Sequence, residues 1–124
     1  MTRWLTEDEQ RSWRAWLSAS VLLTDRLSRD LQEQHGLTIA DYEILVRLSE
    51  IPDRRMRMSE LADATLSSRS RLSHQIDRME RAGLVERQLC ADDRRGAFAA
   101  LTDTGWATLV ASAPDHVTSV RKHL

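Results

Sequence analysis

At 124 residues, with 41% hydrophobic and 30% charged side chains, the chain is sized and composed for one globular domain with a core of moderate size. No apolar run is long enough to span a bilayer, the quick turn to acid in MTRWLTEDEQ is unlike a secretory signal, and a lone cysteine makes no internal disulfide, so the expected setting is the cytoplasm with no membrane contact. The net charge of −1 hides an uneven spread: residues 1–50 hold six arginines against nine acids, residues 51–100 hold ten against eight, and Lys122 is the only lysine.

Thr6-Glu7-Asp8-Glu9 has capping-box spacing, which predicts a helix running to about Gln34 with Gly36 as its left-handed stop. Trp13, Trp16, Leu17, Val21, Leu22, Leu23, Leu27 and Leu31 spread over more than one side of it, so this helix needs more than one partner, a second subunit among them. Thr38 caps a second helix at roughly 39–50, with Tyr42, Leu45 and Leu48 on one face. Arg54–Met58 reads as a small strand, and Ser59 as the cap of a short helix from Glu60 to Thr65. Leu66-Ser67-Ser68 turns into a helix from about 68 to 82 that Gly83 stops. Strands at about 84–90 and 96–101 flank a hairpin, and Thr102-Asp103 caps a last helix that Pro114 should interrupt or kink. Arg121–Leu124 carries no stop signal, as though that helix continued. The order predicts a mainly α fold with a small β-hairpin: a helix-turn-helix followed by a wing.

The helix at 68–82 carries the functional signal. At about 100° per residue, Leu72, Ile76 and Met79 share one narrow sector, with Ser70, His74 and Arg81 nearly opposite. Arg71 and Arg78 lie to one side of the outer face, Gln75 stands nearer the boundary, and Asp77 is an acid that would repel phosphate. Any solvent-facing helix is polar, but here the side chains are Ser, Arg, His and Gln, which can read base edges, rather than Glu and Lys. A short helix and a tight turn precede it, and Ser67 and Ser68 offer hydroxyls beside its N-terminal amides.

These residues carry a resemblance. MSELADATLSSRSRLSHQIDRMERAGLVER resembles the helix-turn-helix of MarR-family transcriptional regulators, and Asp93-Arg94-Arg95, five further residues and Leu101-Thr102 match the family's wing pattern. Gly105, Leu37-Thr38, Tyr42 and Leu45 also resemble the family, over roughly residues 10–120. The resemblance implies a winged helix-turn-helix lobe at about 37–102, with helices at about 1–36 and 103–124 forming a homodimer. It implies binding to a double-stranded, pseudo-palindromic DNA operator, as a repressor released by a small phenolic or other aromatic effector. By position, Ser70, Arg71, His74 and Gln75 would read bases, Ser68, Arg69 and Arg78 would lie nearer the backbone, and Arg94 and Arg95 would be wing contacts with Asp93 as a brace for Arg95. Trp13, Trp16, His35 and Tyr42 are the implied effector-pocket residues, although tryptophans on such a helix also suit dimer packing. The last helix looks short for the family.

Other readings stay open on particular residues. Cys90 offers a thiol for redox sensing, yet no adjacent His or Lys lowers its pKa. His116 and His123 share a helix side but sit too far apart along it to hold one metal ion, and no metal or cofactor is expected. No glycine-rich phosphate loop, nucleophile elbow or paired carboxylates point to an enzyme. A winged helix that binds protein and never touches DNA is the alternative from another class.

Overall fold

The computed structural model of the protein describes residues 1–89 and 96–124. Helix α1 (Glu7–His35) starts on a reciprocal cap: the Glu9 amide donates to Thr6 Oγ1 at 3.2 Å and the Thr6 amide to Glu9 Oε2 at 2.9 Å. It ends where Gly36 takes φ 68° and its N–H reaches back to the Leu31 and Gln32 carbonyls. Helix α2 (Ile39–Ser49) repeats the reciprocal cap with Thr38 and Asp41. Helices α3 (Met58–Ala64) and α4 (Arg69–Arg81) follow across a tight turn, and α5 (Asp103–His123) closes the chain. Strands β1 (Arg55–Arg57), β2 (Val85–Leu89) and β3 (Ala97–Leu101) form one antiparallel sheet in the order β1-β3-β2, with Met56 and Arg87 both opposite Ala99. Among the described residues no helix is long and apolar enough to cross a membrane.

Two local expectations are corrected. Helix α3 starts at Met58, not after Ser59, and its cap position is Arg57, which makes no side-chain capping bond. Pairing of Arg57 with Phe98 holds the strand extended to its last residue, so the helix begins directly from the sheet. Helix α5 also continues through Pro114 rather than breaking there. Proline removes one backbone bond from a helix. Here α5 is tied to α1 beyond Pro114, by Asp115 to His35 and by Ser119 to Asp30.

The core gathers around α4. Leu72, Ile76 and Met79 pack with Ile44, Leu45 and Leu48 of α2, Leu61 of α3 and Val85 and Ala99 of the sheet. Each leucine or isoleucine so buried contributes about 1.5–3 kcal/mol relative to exposure. Helix α5 docks on the same core through Leu109, while Arg54 lies 3.9 Å over the Trp106 ring. Gly105 permits this docking. A Cβ there would stand 2.1 Å from the Leu84 carbonyl oxygen, which already accepts the Thr102 amide, and 2.7 Å from Leu101.

The α1–α5 seam is polar and rich in histidine. Ser119 Oγ donates to Asp30 Oδ2 at 2.6 Å, and His123 Nε2 stands 3.4 Å from the same carboxylate. The Ser119 bond, helped by Arg26 and His123, holds the Asp30 carboxyl below its ordinary value. His35 Nε2 lies 2.8 Å from Asp115 Oδ2. His116 packs tilted against Tyr42 at 4.3 Å between ring centroids, with its Nδ1 buried and unpartnered among the described residues. Burial pushes the His116 pKa down, against the opposing pull of Glu43.

Gly105→Ala should therefore lower stability by about 1–3 kcal/mol, because backbone rather than a flexible side chain must give way. Denaturant unfolding checks this, and an unchanged midpoint would contradict the docking described. A pH effect follows from His116. Its folded pKa lies below 6.5, so the fold keeps the ring neutral while the unfolded chain takes up a proton. That share of stability is complete above pH 6.5 and is lost as pH falls from there towards the folded value. His116→Phe, which keeps a ring against Tyr42 but cannot titrate, should lose less stability than the wild type between pH 7.5 and pH 5.5. Equal losses would place the acid sensitivity elsewhere.

Candidate nucleic-acid interface

The turn between α3 and α4 is built from backbone bonds and one strained residue. The Ser67 amide donates to the Ala62 carbonyl at 2.9 Å, and Leu66 adopts φ 54° with its side chain 94% exposed. A left-handed leucine costs about 1–2 kcal/mol and here gains almost no burial in return. Ser68 then caps α4, its Oγ accepting the Arg71 amide at 3.1 Å.

Helix α4 is held on three sides. Its apolar back is the buried stripe of Leu72, Ile76 and Met79. On one flank Arg87 of β2 pairs with Asp77 and donates through Nη2 to the Ser73 carbonyl and hydroxyl, each at 2.9 Å, while the Arg87 amide donates to Glu80 Oε2 at 2.8 Å. The Arg87 hydrogen bond, with Arg81 and His74 nearby, holds the Asp77 carboxyl below its ordinary range. The acid expected to repel phosphate is thus ion-paired. On the other flank Gln75 Nε2 donates to Asp41 Oδ1 at 3.3 Å.

Most of the sequence-predicted contact residues are left on the open side. Ser68, Arg69, Ser70, Arg71, His74 and Arg78 are all exposed along α4 and its cap. Gln75 departs from the expectation: it is 6% exposed and tied to Asp41, so its amide faces α2 instead of solvent. Asp93, Arg94, Arg95 and Cys90 lie outside the described residues.

The four residues expected to form one effector pocket are not brought together. His35 pairs with Asp115 and Tyr42 packs on His116, both against α5. Trp13 and Trp16 lie far up α1, with Trp16 separated from His35 by 19 residues, about 28 Å of rigid helix. Both tryptophans are more than half exposed. A hollow lies between α1, α2 and the Arg71–Gln75 flank of α4. It encloses about 440 Å³, with Thr24, Ser28, Ile39 and Glu43 among its walls. Sequence periodicity missed it because its walls come from three separate elements.

The sheet adds cations that sequence reading passed over. Arg55 and Arg57, two apart on β1, lie 4.6 and 5.1 Å over the Phe98 ring of β3, and Arg55 Nη1 donates to Gln88 Oε1 at 3.3 Å. Strand alternation beside the aromatic residue of the paired strand was the available signal.

Comparison with known proteins gives the same arrangement. Residues 35–96, half of the chain, match the sequence profile of the MarR family. The chain is 29% identical over 106 residues to the HTH-type transcriptional regulator PecS of Dickeya dadantii, covering 85% of this chain and 64% of that protein, so it spans less than two thirds of that relative's length. It superimposes on AbsC, a MarR family transcriptional regulator from Streptomyces coelicolor, with a TM-score of 0.93 and 58% identity, covering 99% of this chain and 82% of that one. Sco3205, a MarR family transcriptional regulator from Streptomyces coelicolor solved in complex with DNA, matches with a TM-score of 0.97 and 47% identity, over 100% of this chain and 78% of its own. With its helix-turn-helix braced against a three-stranded sheet and its sequence matched to that profile, the chain belongs to the MarR family.

Proposed function

We propose that this protein is a cytoplasmic, dimeric, sequence-specific DNA-binding repressor that releases a pseudo-palindromic operator on binding a small aromatic effector. The observation that carries the reading is the open face of α4, where Ser70, Arg71 and His74 stand exposed while the opposite stripe is buried. Arg71 and His74 supply base-edge donors in the major groove, and Ser68, Arg69 and Arg78 reach phosphates beside it. That Sco3205 was solved in complex with DNA supports DNA binding by this chain.

Two such helices must lie about one turn of DNA apart, roughly 34 Å, to enter successive major grooves. A second copy of the chain would set that spacing. The exposed apolar face of Trp13, Trp16, Leu17 and Val21 on α1, with Val110 and Val117 on α5, is the surface it would cover. The effector belongs in the hollow beside Arg71 and Gln75 rather than among the four residues first considered. Its volume falls within the usual range for small-molecule sites, roughly 300–1,000 Å³. An occupant there acts on Arg71 and on the Gln75–Asp41 link, and it shifts DNA affinity to the extent that it prefers the non-binding arrangement.

One assay with the intergenic DNA beside the gene tests these claims. Wild-type binding should weaken steeply with salt, because phosphate contacts release counterions. Arg71→Ala should lose about 1–3 kcal/mol of discrimination at particular base pairs. Trp16→Asp should sediment as a monomer and lose roughly a hundredfold or more in operator affinity. Phenols that weaken wild-type binding should lose this effect in Thr24→Trp, whose side chain fills the hollow. Undetectable or salt-insensitive DNA binding by an intact dimer would instead favour a protein-interaction role.

A further inference from the structure

Helix α5 is held from two sides by contacts that answer a proton differently. Against α1, His35 Nε2 meets Asp115 Oδ2 at 2.8 Å, and His123 Nε2 stands 3.4 Å from Asp30 Oδ2. Each ring already faces a carboxylate, so a proton added to it makes an ion pair and leaves α1 and α5 joined. Against α2, His116 lies on the Tyr42 ring, and its Nδ1 is buried with no acceptor among the described residues. A proton there creates a second N–H donor with nothing to receive it, and a buried charged donor without a partner is costly. Acid therefore spares the α1 ties and acts on the α2 contact.

The titratable groups on the packed elements decide where a protonated ring goes. Helix α1 presents His35, engaged with Asp115 of α5, and Asp30, engaged with Ser119, His123 and Arg26. Helix α2 presents Tyr42 and Glu43, and the Glu43 charge draws a proton onto the ring against the burial that drives it off. Glu43 Oε1 accepts from Arg47 Nε at 2.8 Å, but both side chains are partly exposed and such a pair is weak, so Glu43 exchanges partners at little cost. Glu43 is also a wall of the hollow beside Arg71 and Gln75. We propose that His116 is a proton switch: once protonated, its ring leaves Tyr42 for Glu43, which releases α5 from α2 and draws the Glu43 carboxylate out of the wall of the hollow.

The consequence rests on the function proposed above, in which α2 belongs to the DNA-binding lobe and α5 to the frame that spaces two lobes. Releasing one from the other loosens the spacing of the two α4 helices, so acid weakens operator binding. That sign is diagnostic. Protonating His74 on the open face of α4, or His35 and His123 on the seam, adds positive charge and favours DNA.

Operator affinity measured from pH 7.5 to pH 5.5 at fixed ionic strength tests the switch, with sedimentation and circular dichroism confirming a folded dimer throughout. Wild-type affinity should fall by about fivefold or more, the lower range of coupling between linked sites, while His116→Phe should hold steady or gain. A wild-type affinity that rises or stays level, or an equal fall in His116→Phe, would overturn the proposal. A second readout needs no DNA. In the free protein, nuclear magnetic resonance should show the Tyr42 ring and the Glu43 carboxyl moving with the His116 ring below pH 6.5, and Glu43→Gln should lower the midpoint of that ring. A ring that titrates while Glu43 stays unmoved, or a midpoint indifferent to Glu43→Gln, would equally overturn it. If the wild type binds no DNA at any pH, the function proposed above fails, and the free-protein titration alone decides the switch.

Discussion

The burial of Leu72, Ile76 and Met79 fixes the rotation of α4 about its axis, and the rest of the structure is arranged around that constraint. A helix in a groove presents one face, and a rotation of one residue's arc, about 100°, would replace Ser70 and His74 with different side chains. Hydrophobic burial is strong but non-directional, so it sets the face without setting fine orientation. The directional bonds lie on the flanks: Arg87 with Asp77 and Ser73 on one side, and Gln75 with Asp41 on the other. The flank that bears Gln75 also opens on the hollow lined by Thr24, Ser28 and Glu43.

Under the proposed function, this arrangement lets one small lobe carry both DNA contact and control. Asp41 belongs at once to the α2 cap, through Thr38, and to the α4 flank, through Gln75. A molecule in the hollow beside them bears on the start of α2 and on Arg71 together. On the opposite flank, Arg87 ties α4 to the sheet.

The sequence made the local features legible. Thr6 with Glu9, Gly36 and the period of Leu72, Ile76 and Met79 each act within a few residues, and the structure has them in those roles. What escaped depends on distant partners. Gln75 sits at the edge of the buried sector, and only Asp41, 34 residues away, draws it inward. Pro114 looked like a break because the ties from Asp115 to His35 and from Ser119 to Asp30 cannot be seen in a local window. Trp16 and His35 lie on one rigid helix whose length separates them, so one chain alone does not gather Trp13, Trp16, His35 and Tyr42. The pairing of β1 with β3, which gathers Arg55 and Arg57 over Phe98, likewise needed the fold.

The central claim is that the outer face of α4 enters the major groove, and guanine-N7 methylation interference on the intergenic DNA tests it most directly. Interference should appear at two clusters of guanines about one helical turn apart on one face of the duplex, and Arg71→Ala should erase the interference at its own guanine within each cluster. Binding that is indifferent to major-groove methylation, or an Arg71→Ala pattern identical to the wild type, would contradict the account.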